Sequence, residues 1–351
     1  MRWFNLFFVF LIAPIIGVYW FCMDFDEKVG ALVMDTKSIN TALEEVRDIV
    51  VSLQKDVGLV HKTIVEQEET YRQQQKILKE LAKKSGDHTK ESEQVYEYRI
   101  LKMLGPPIRV HRSERVEIKV FKLDELGYRG FIAKAKLFDP SVFRVVLAKD
   151  KLGEAETPSE AAARTGAILC TNGGGFYGFM QDGRKYILPI ANTIIDGKLI
   201  NGFHPPTGPN EDMFLAGIRK NGDLVGRIFY SEDEIYKSRI WHGVSFVPIL
   251  IQNGIPIDLP KKWQNTKHPR TIIGEYANGD LILIVVDGRQ RDWSAGVTLE
   301  RLQIKLIELG VKEAYNLDGG GSSVFIFAGE VLNRPSDGRQ RKLPTNIVIL
   351  P

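Results

Sequence analysis

Two triple-glycine segments are the first places in the chain where the residue types could support chemistry. Each follows an apolar run and a polar side chain: Asn172 precedes residues 173–175, and Asp318 precedes residues 319–321. Glycine lets a ligand approach the main chain closely, and the amides of such loops can form a concave anion site. A single triple glycine is more often a turn or a bulge, but two in this setting predict a binding site. Two serines, at 322–323, add hydroxyl groups to the second loop.

Arginines and carboxyl groups accompany the two loops and narrow the chemistry further. The arginines are Arg270, Arg289 and Arg334, and the carboxyl groups belong to Asp287, Glu300 and Asp318. A guanidinium group can bind phosphate through two parallel hydrogen bonds, and glycoside hydrolysis usually needs two carboxyl groups. Asp287-Gly288 by itself is also the commonest hairpin signal. No lysine follows the glycines at the P-loop spacing, which disfavours a nucleotide triphosphatase.

Carboxyl groups beside anion binders indicate cleavage of a phosphorylated sugar. In a sugar 1-phosphodiester the leaving group is already a weak base, so neutralising its charge matters more than protonating it. We hypothesise that Asp287 or Asp318 stabilises an oxocarbenium-like centre or activates water. Arg270 and Arg289 would hold the phosphate. Acid, base and nucleophile stay unassigned, because the separation of the carboxylates is a structural quantity. The candidate substrate and phosphate contacts are Asn172, Gly173, Gly174, Arg270, Arg289, Gly319, Gly320, Gly321, Ser322, Ser323 and Arg334.

From roughly Val116 to Pro351 the chain resembles the phosphodiester glycosidase family. The matching stretches are Thr171–Phe176, Ser245–Pro248, His268–Thr271, Asp287–Arg289, Gly296–Glu300, Asn316–Ser323 and Asn333–Ser336, followed by Arg341 and Asn346. The resemblance implies a hydrolase whose site is lined by Asn172, Arg270, Asp287, Arg289, Asp318 and the Gly319–Ser323 loop. Gly175 and Val247 depart from the family pattern, and neither is a candidate catalytic residue.

Short β-rich runs recur between turn residues from about position 109 onward, and they predict an α+β fold with few helices. The predicted strands are Val116–Leu123, Phe131–Phe138, Phe143–Ala148, Ala167–Thr171, Val244–Ile251, Leu281–Val286 and Asn346–Leu350. One helix should begin after the capping box that starts at Thr157 and end at Gly166. A second should run from about Leu299 to Leu309, with Thr298 as its N-cap.

Residues 4–23 form an apolar run without a charged side chain. As a helix it would span about 30 Å of hydrocarbon. Arg2 precedes the run and Asp24 follows it, so the positive-inside rule places the N-terminus in the cytoplasm and the rest outside. A cleaved signal peptide is the alternative, but no A-x-A-like site follows the run. We therefore expect residues 1–28 to form a cytoplasmic tip and a membrane anchor.

A seven-residue apolar repeat over residues 32–81 predicts a coiled coil. One register contains Leu32, Ile39, Val46 and Leu53, and the other contains Leu43, Val50, Val57 and Ile64. The alternative is a long helix packed on its own globular domain. We expect residues 29–86 to be a stalk that joins copies of the chain. A linker at 87–108 and a globular domain at 109–351 should follow.

The composition and the cysteine spacing argue against several other classes of protein. The net charge of +3 and the lack of a concentrated basic face argue against nucleic-acid binding. The two cysteines, Cys22 and Cys170, form no CxxC motif and no cluster with histidine, which disfavours a disulfide framework and a structural zinc site. Asp287 and Asp318 could offer oxygen ligands to calcium or magnesium. No metal motif supports this, so we expect neither metal nor cofactor.

Two rival functions would use the same parts. One is a phosphodiesterase that cuts the P–O bond instead of the C–O bond. The other is a non-catalytic envelope scaffold, with the coiled coil as its working part and the domain as a sugar-binding module. Trp241 is either a core residue or a sugar-stacking platform. For an enzyme outside the membrane, the expected substrate is an envelope glycan or glycolipid joined through a phosphodiester.

Overall fold

The computed structural model describes residues 93–208, 211–263 and 265–351, helical stretches at 15–20 and 43–55, and a few helical positions between 57 and 73. Residues Met1–Thr70 and Tyr71–Pro351 form two separate compact units. Most of the predicted anchor lies outside the described residues, and no described helix combines the length and hydropathy that a membrane span requires. Within the predicted stalk, the helical residues Leu43 and Leu53 are 61% and 56% exposed.

Three sheets and a hairpin make up the globular domain. The helices are α1 (Glu93–Leu104), α2 (Pro158–Thr165), α3 (Glu232–Ser238) and α4 (Leu299–Glu308). The strands are β1 (Arg109–Arg112), β2 (Val116–Glu125), β3 (Tyr128–Leu137), β4 (Phe143–Leu147), β5 (Leu169–Asn172), β6 (Phe176–Gln181), β7 (Arg184–Pro189), β8 (Thr193–Ile195), β9 (Lys198–Ile200), β10 (Phe214–Arg219), β11 (Leu224–Arg227), β12 (Ile240–Phe246), β13 (Ile249–Gln252), β14 (Ile255–Pro256), β15 (Arg270–Tyr276), β16 (Leu281–Val286), β17 (Val311–Leu317), β18 (Phe325–Phe327), β19 (Glu330–Val331) and β20 (Thr345–Ile349). The first sheet has the order β1-β2-β3-β16-β15-β17-β13-β14, the second β11-β10-β12-β8-β9 and the third β19-β18-β5-β20-β4.

The inner faces of all three sheets meet in one central core. Leu283 of the first sheet, Ala216 of the second and Ile347 of the third belong to the same buried cluster. Alternate residues of β16 enter a different cluster on the outer side of the first sheet, which α1 and α4 cover. Because both faces of β16 are buried, its sequence is an uninterrupted apolar run and not an alternating one.

Each of the other two sheets carries one helix on its outer face. Ala161 of α2 packs with Val348 of the third sheet, and Ile235 of α3 packs with Leu215 of the second. This arrangement of many strands with four covering helices confirms the predicted α+β class.

The two predicted helices form where the sequence placed them. Thr157 caps α2 with the reciprocal hydrogen bonds of a capping box to Glu160, and Gly166 closes the helix with a positive φ of 68°. Thr298 caps α4 by accepting a hydrogen bond from the amide of Arg301. The strand predicted from Val244 to Ile251 is divided into β12 and β13 at Val247-Pro248, because proline supplies no amide to the sheet.

Helix α1 lies within residues 87–108, the segment predicted to be a linker or a weaker helix. Helix α1 occupies much of it, and Ile100 is buried in the cluster on the outer side of the first sheet. Lys134 of β3, itself only 3% exposed, forms an ion pair with Glu97 of α1 at 2.5 Å. Helix α1 is therefore part of the globular domain, which begins before residue 109.

Candidate active site

The sheet topology brings the main candidate residues to one edge of the first sheet. Strand β15 lies between β16 and β17 and is antiparallel to both. The residues that follow β16 and β17, Asp287 and Asp318, therefore flank Arg270, the first residue of β15. Arg270 pairs with Val286 in this register. Because adjacent strands lie about 4.8 Å apart, the backbones of the two aspartates are about 10 Å from each other.

Glycines let the loops at this edge pack against one another. A side chain at Gly319 would lie 2.8 Å from the carbonyl oxygen of Pro269. A side chain at Gly296 would lie 2.7 Å from the backbone of His268, and its φ is +91°. Any other residue at either position would push the loops apart, so these glycines hold Arg270 close to both aspartates.

Asp287 is locked in place by its surroundings. Its carboxylate accepts hydrogen bonds from Trp293 Nε1 at 2.8 Å and from Asn333 Nδ2 and the Arg334 amide at 2.9 Å. The side chain is 1% exposed. Burial raises its pKa, and the three donors oppose that rise. Because both carboxylate oxygens are occupied, Asp287 is better placed to hold its neighbours than to contact substrate.

Asn333 links Asp287 to the second glycine loop. Its amide nitrogen donates to the carbonyl oxygen of Ser323 at 3.0 Å as well as to Asp287. Its amide oxygen accepts from the Phe325 amide at 2.7 Å. One buried side chain thus fixes the spacing between the two loops that carry the aspartates.

Asp318 is less constrained than Asp287. It is half-buried, and Oδ1 accepts a hydrogen bond from the Gly319 amide at 3.0 Å. Burial raises its pKa to about 6, while the Ser322 hydroxyl, the Gly319 amide and the charge of Arg341 oppose the rise. A carboxyl group with this pKa exchanges its proton near neutral pH, as a general acid or base must.

Arg270 is a buried cation whose contacts are carbonyl oxygens. It is 5% exposed, and it donates to Val297 O at 3.4 Å and to Thr266 O at 3.1 Å. Burial and the neighbouring charge of Arg289 lower its pKa to about 10, so it remains protonated at neutral pH. None of the described carboxylates lies within ion-pair distance of it. A buried positive charge in this setting favours an anionic ligand.

Arg289 and His268 extend the positive region. The Arg289 guanidinium lies beside Gly320 of the second glycine loop, and its Nη2 is 3.2 Å from Nδ1 of His268. Burial, together with the charges of Arg270 and Arg289, lowers the pKa of His268. The imidazole is thus uncharged at neutral pH and adds a hydrogen-bonding group beside Arg289.

Most amides of the two glycine loops donate to acceptors within the protein. The Gly320 amide donates to Pro269 O at 2.9 Å, and the amides of Ser322 and Ser323 bond within the loop. In the first loop, the Gly173 amide donates to Thr345 O at 3.1 Å. A side chain at Gly174 would lie 2.5 Å from Ser245 O. These glycines permit close strand packing, and most of their amides already have acceptors, which leaves few of them for an anion.

Asn172 joins the third sheet to the aspartate edge. Its amide nitrogen donates to Asp318 O at 2.6 Å, and its amide oxygen accepts from the Thr271 hydroxyl at 2.8 Å. The side chain is completely buried. Asn172 therefore positions the Asp318 loop against β15 and does not face a ligand directly.

Several buried polar atoms near these loops have no hydrogen-bond partner among the described residues. They are Asn316 Oδ1, Ser323 Oγ, Thr345 Oγ1 and both amide atoms of Asn346. Asn346 lies opposite Asn172 in the pairing of β20 with β5. Buried polar groups are normally paired, so this cluster marks a place where a polar ligand or water would complete the bonding.

The remaining predicted residues lie around this cluster in different roles. Arg334 stacks on Trp293 at 3.8 Å from the ring centroid, and its amide holds Asp287. Glu300 lies in the first turn of α4, where a negative charge favours the helix dipole. Within the described residues it makes no hydrogen bond or ion pair with either aspartate. No described group of three or more His, Cys, Asp or Glu side chains could hold a metal ion.

Sequence reasoning missed Trp293 and Thr345, and it gave no role to Asn333 or Asn346. Trp293 lies outside every conspicuous motif, and only its hydrogen bond to Asp287 identifies it. Thr345 lies just before the strand predicted at Asn346–Leu350, and Asn346 was noted only as part of that strand and as a match to the family pattern. The Asn-Arg-Pro-Ser stretch at 333–336 was the one signal that pointed to Asn333.

Comparison with known proteins gives the family. The model of the phosphodiester glycosidase family matches residues 165–350, just over half of the chain. Bovine (Bos taurus) N-acetylglucosamine-1-phosphodiester alpha-N-acetylglucosaminidase is 29% identical over 198 residues, which are 52% of this chain and 35% of that protein. A prophage-derived protein of Bacillus subtilis, YomE, is 39% identical over 85 residues, or 24% of this chain and 13% of that protein.

A solved structure shows the same relationship. The catalytic domain of zebrafish N-acetylglucosamine-1-phosphodiester alpha-N-acetylglucosaminidase, auto-inhibited by its pro-peptide, is 25% identical with a TM-score of 0.54. The match covers 68% of this chain and 85% of that one. The chain spans about a third of the length of the bovine relative. By the family model and this structural likeness, the chain belongs to the phosphodiester glycosidase family.

Proposed function

We propose that the chain hydrolyses the glycosidic C–O bond of a sugar 1-phosphodiester. The observation that carries this proposal is Arg270, a buried cation without a described carboxylate partner, at the same sheet edge as Asp318 with its raised pKa. A phosphate group would supply the missing negative charge, and the carboxyl group would act on the adjacent sugar. Family membership supports the same reaction class.

Arg270 and Arg289 bind the phosphodiester in this scheme. The Arg289 guanidinium lies beside Gly320 and 3.2 Å from Nδ1 of the uncharged His268. Its charge lowers the pKa of Arg270, which shows that the two guanidinium groups are close to each other. When the C–O bond breaks, its electron pair goes to the phosphate oxygen and the leaving group gains a full negative charge. Fixed positive groups stabilise that charge without protonating it.

Asp318 acts on the sugar side. Above about pH 6 its carboxylate is ionised, and it accepts a proton from the water that attacks the anomeric carbon. The products are a reducing sugar and a phosphomonoester. Because the leaving group needs no protonation, one catalytic carboxylate is enough, and Asp287 is free to serve as a positioning residue for Trp293, Asn333 and Arg334.

Release of reducing sugar tests the reaction. The full-length protein is incubated with aryl and alkyl sugar 1-phosphodiesters, with N-acetylglucosamine as the first sugar because the named relatives act on it. Hydrolysis in ¹⁸O-water should place the label in the sugar hydroxyl. Label in the phosphate would instead establish P–O cleavage and a phosphodiesterase. Glycan binding without any release would favour the non-catalytic module.

We further propose that residues 4–23 anchor the chain in a membrane and that residues 32–81 join copies of it in a parallel stalk. The apolar side chains of Leu43, Val50 and Leu53 are exposed on the described helix, at 61%, 46% and 56%, and a second copy would cover them. The outward-facing domain would then meet envelope glycans or glycolipids. Full-length protein should stay with membranes after alkaline extraction and purify as at least a dimer. Release into the supernatant would contradict the membrane anchor, and a monomer would contradict the stalk.

A further inference from the structure

A cavity of about 800 Å³ lies on the second sheet and shares no lining residue with the aspartate edge. Its wall includes Asp196, Arg219, Lys220, Lys237, Arg239 and Trp241. These residues come from the β8–β9 turn, the β10–β11 turn, and the end of α3 with the start of β12. The proposed reaction uses none of them.

The cavity wall is strongly positive. Four of its side chains are cationic and only Asp196 is a carboxylate. Lys237 is paired with Asp233 at 2.5 Å, and Arg219 lies 3.7 Å from Asp223. Lys220 and Arg239 are exposed and form no ion pair with a described carboxylate. Two cations are thus available to an anionic ligand.

Aromatic side chains stand beside these cations. Trp241 is half-buried, and Lys220 Nζ lies 5.5 Å from its ring centroid. Tyr236 is 49% exposed. Aromatic faces pack against the apolar faces of sugar rings, while cations bind phosphate. The combination fits a sugar that carries phosphate better than it fits a bare anion.

A buried histidine adds an unpaired polar group behind the cavity wall. His242 is 1% exposed, and neither ring nitrogen has a hydrogen-bond partner among the described residues. Its Nε2 lies 3.4 Å from Oδ1 of Asp196. Burial lowers the pKa of His242 to about 4, so the ring is neutral. The wall residue Asp196 therefore lies beside an uncharged imidazole ring, which does not neutralise the charge of its carboxylate.

Strand β12 connects the cavity to the first glycine loop. Trp241 lies near its start, and Ser245, four residues later, accepts a hydrogen bond from the Gly175 amide at 3.1 Å. Four residues of strand span about 13 Å. Asn172 then joins the glycine loop to Asp318. The chain thus links the cavity wall to the Asp318 loop through a short series of buried contacts.

We propose that this cavity is an accessory site for a phosphorylated saccharide, in which Lys220 and Arg239 bind phosphate and Trp241 packs against the sugar ring. The choice of ligand rests on the proposed function, since the site would hold a further unit of the same polymeric substrate. Holding one unit raises the local concentration of the next at the aspartate edge.

Binding is measured on full-length Asp318→Asn protein, which should not turn over the probe. Isothermal titration with N-acetylglucosamine 1-phosphate should detect a site that weakens about tenfold or more in Lys220→Glu/Arg239→Glu and in Trp241→Ala. Lys122→Glu/Lys198→Glu is the matched control, because both lysines are exposed outside the cavity. This control should bind like the parent. Equal binding by the cavity variants and the control would overturn the proposal.

Activity of the same cavity changes in the otherwise unaltered chain separates the two sites. Hydrolysis of a small aryl substrate should remain within about twofold, while KM for a polymeric sugar phosphate rises. If the cavity variants also hydrolyse the small substrate more slowly, the cavity belongs to the catalytic site, and the accessory role is wrong. If an oligothymidylate competes for the cavity as well as the sugar phosphate does, the cavity recognises negative charge alone, and the proposal is overturned. If no substrate is hydrolysed but cavity variants still lose binding, the reaction fails and the accessory site stands.

Discussion

Asp318→Asn is expected to lower kcat/KM for a sugar 1-phosphodiester by about a thousandfold, within the range for loss of a general base. The amide keeps the shape of the side chain and the hydrogen bond from Gly319, but it cannot take a proton from water. Release of reducing sugar, followed with the full-length protein, measures the change. Unchanged activity in a folded Asp318→Asn variant would remove Asp318 from the site.

The pH dependence assigns the direction of proton transfer. Burial raises the pKa of Asp318 to about 6, so a base at this position gives a kcat/KM that rises with pH through about 6. A fall in kcat/KM through the same pH would identify Asp318 as an acid instead. Asp287→Asn is the comparison. Because Asp287 acts by positioning its neighbours, this variant should lose about a hundredfold or less in kcat/KM. Its kcat/KM should still rise with pH through about 6.

The stability of Asp318→Asn provides an independent check. The pKa of Asp318 is raised from 3.8 to about 6 on folding, so the folded state binds this proton more tightly than the unfolded state. At pH 7 the ionised carboxylate therefore costs about 1–3 kcal/mol of folding free energy. Asp318→Asn should unfold at a higher temperature at pH 7. The difference should shrink as the pH falls below 6 and vanish below about pH 4. A destabilised variant at pH 7 would argue against the raised pKa.

The sequence was most informative where local chemistry decides the outcome. The capping box at Thr157 and the N-cap at Thr298 lie within the first turn of their helices, so a few neighbouring residues determine them. The apolar run 281–286 is likewise a strand, as its short length and its isoleucine and valine residues predict. Such features need no knowledge of distant contacts.

The site depended on contacts that no local pattern encodes. Asp287 and Asp318 could be named as candidates, but their different roles follow from two side chains that bond to Asp287. Trp293 belongs to the same loop as Asp287, and Asn333 reaches it from another loop. The glycine loops illustrate the opposite error. Their sequence fits an anion-binding loop and a tight packing contact equally well, and only the acceptors of their amides distinguish the two. Helix α1 was missed as part of the domain because its burial depends on β3 and α4.

Substitution of Arg270 is expected to have the second large effect on kcat/KM, because its charge is buried and its guanidinium group is held in one orientation. The hydrogen bonds to Val297 O and Thr266 O orient the guanidinium group, which leaves its remaining donors for phosphate. A lysine would keep the charge but lose the planar pair of donors. A methionine would remove the charge from the site altogether.

Arg270→Lys is expected to lower kcat/KM for a sugar 1-phosphodiester by about tenfold to a hundredfold, and Arg270→Met by about a thousandfold. The loss should depend on phosphate, because the positive charge stabilises only that leaving group. Hydrolysis of an activated aryl glycoside of the same sugar, if the wild-type protein catalyses it, should change little. The melting temperature of each variant shows whether it is folded. Arg270→Lys should disturb the fold less than Arg270→Met, because it keeps the positive charge. If both substrates lose activity equally in folded protein, Arg270 supports the architecture of the site and a different group neutralises the departing phosphate.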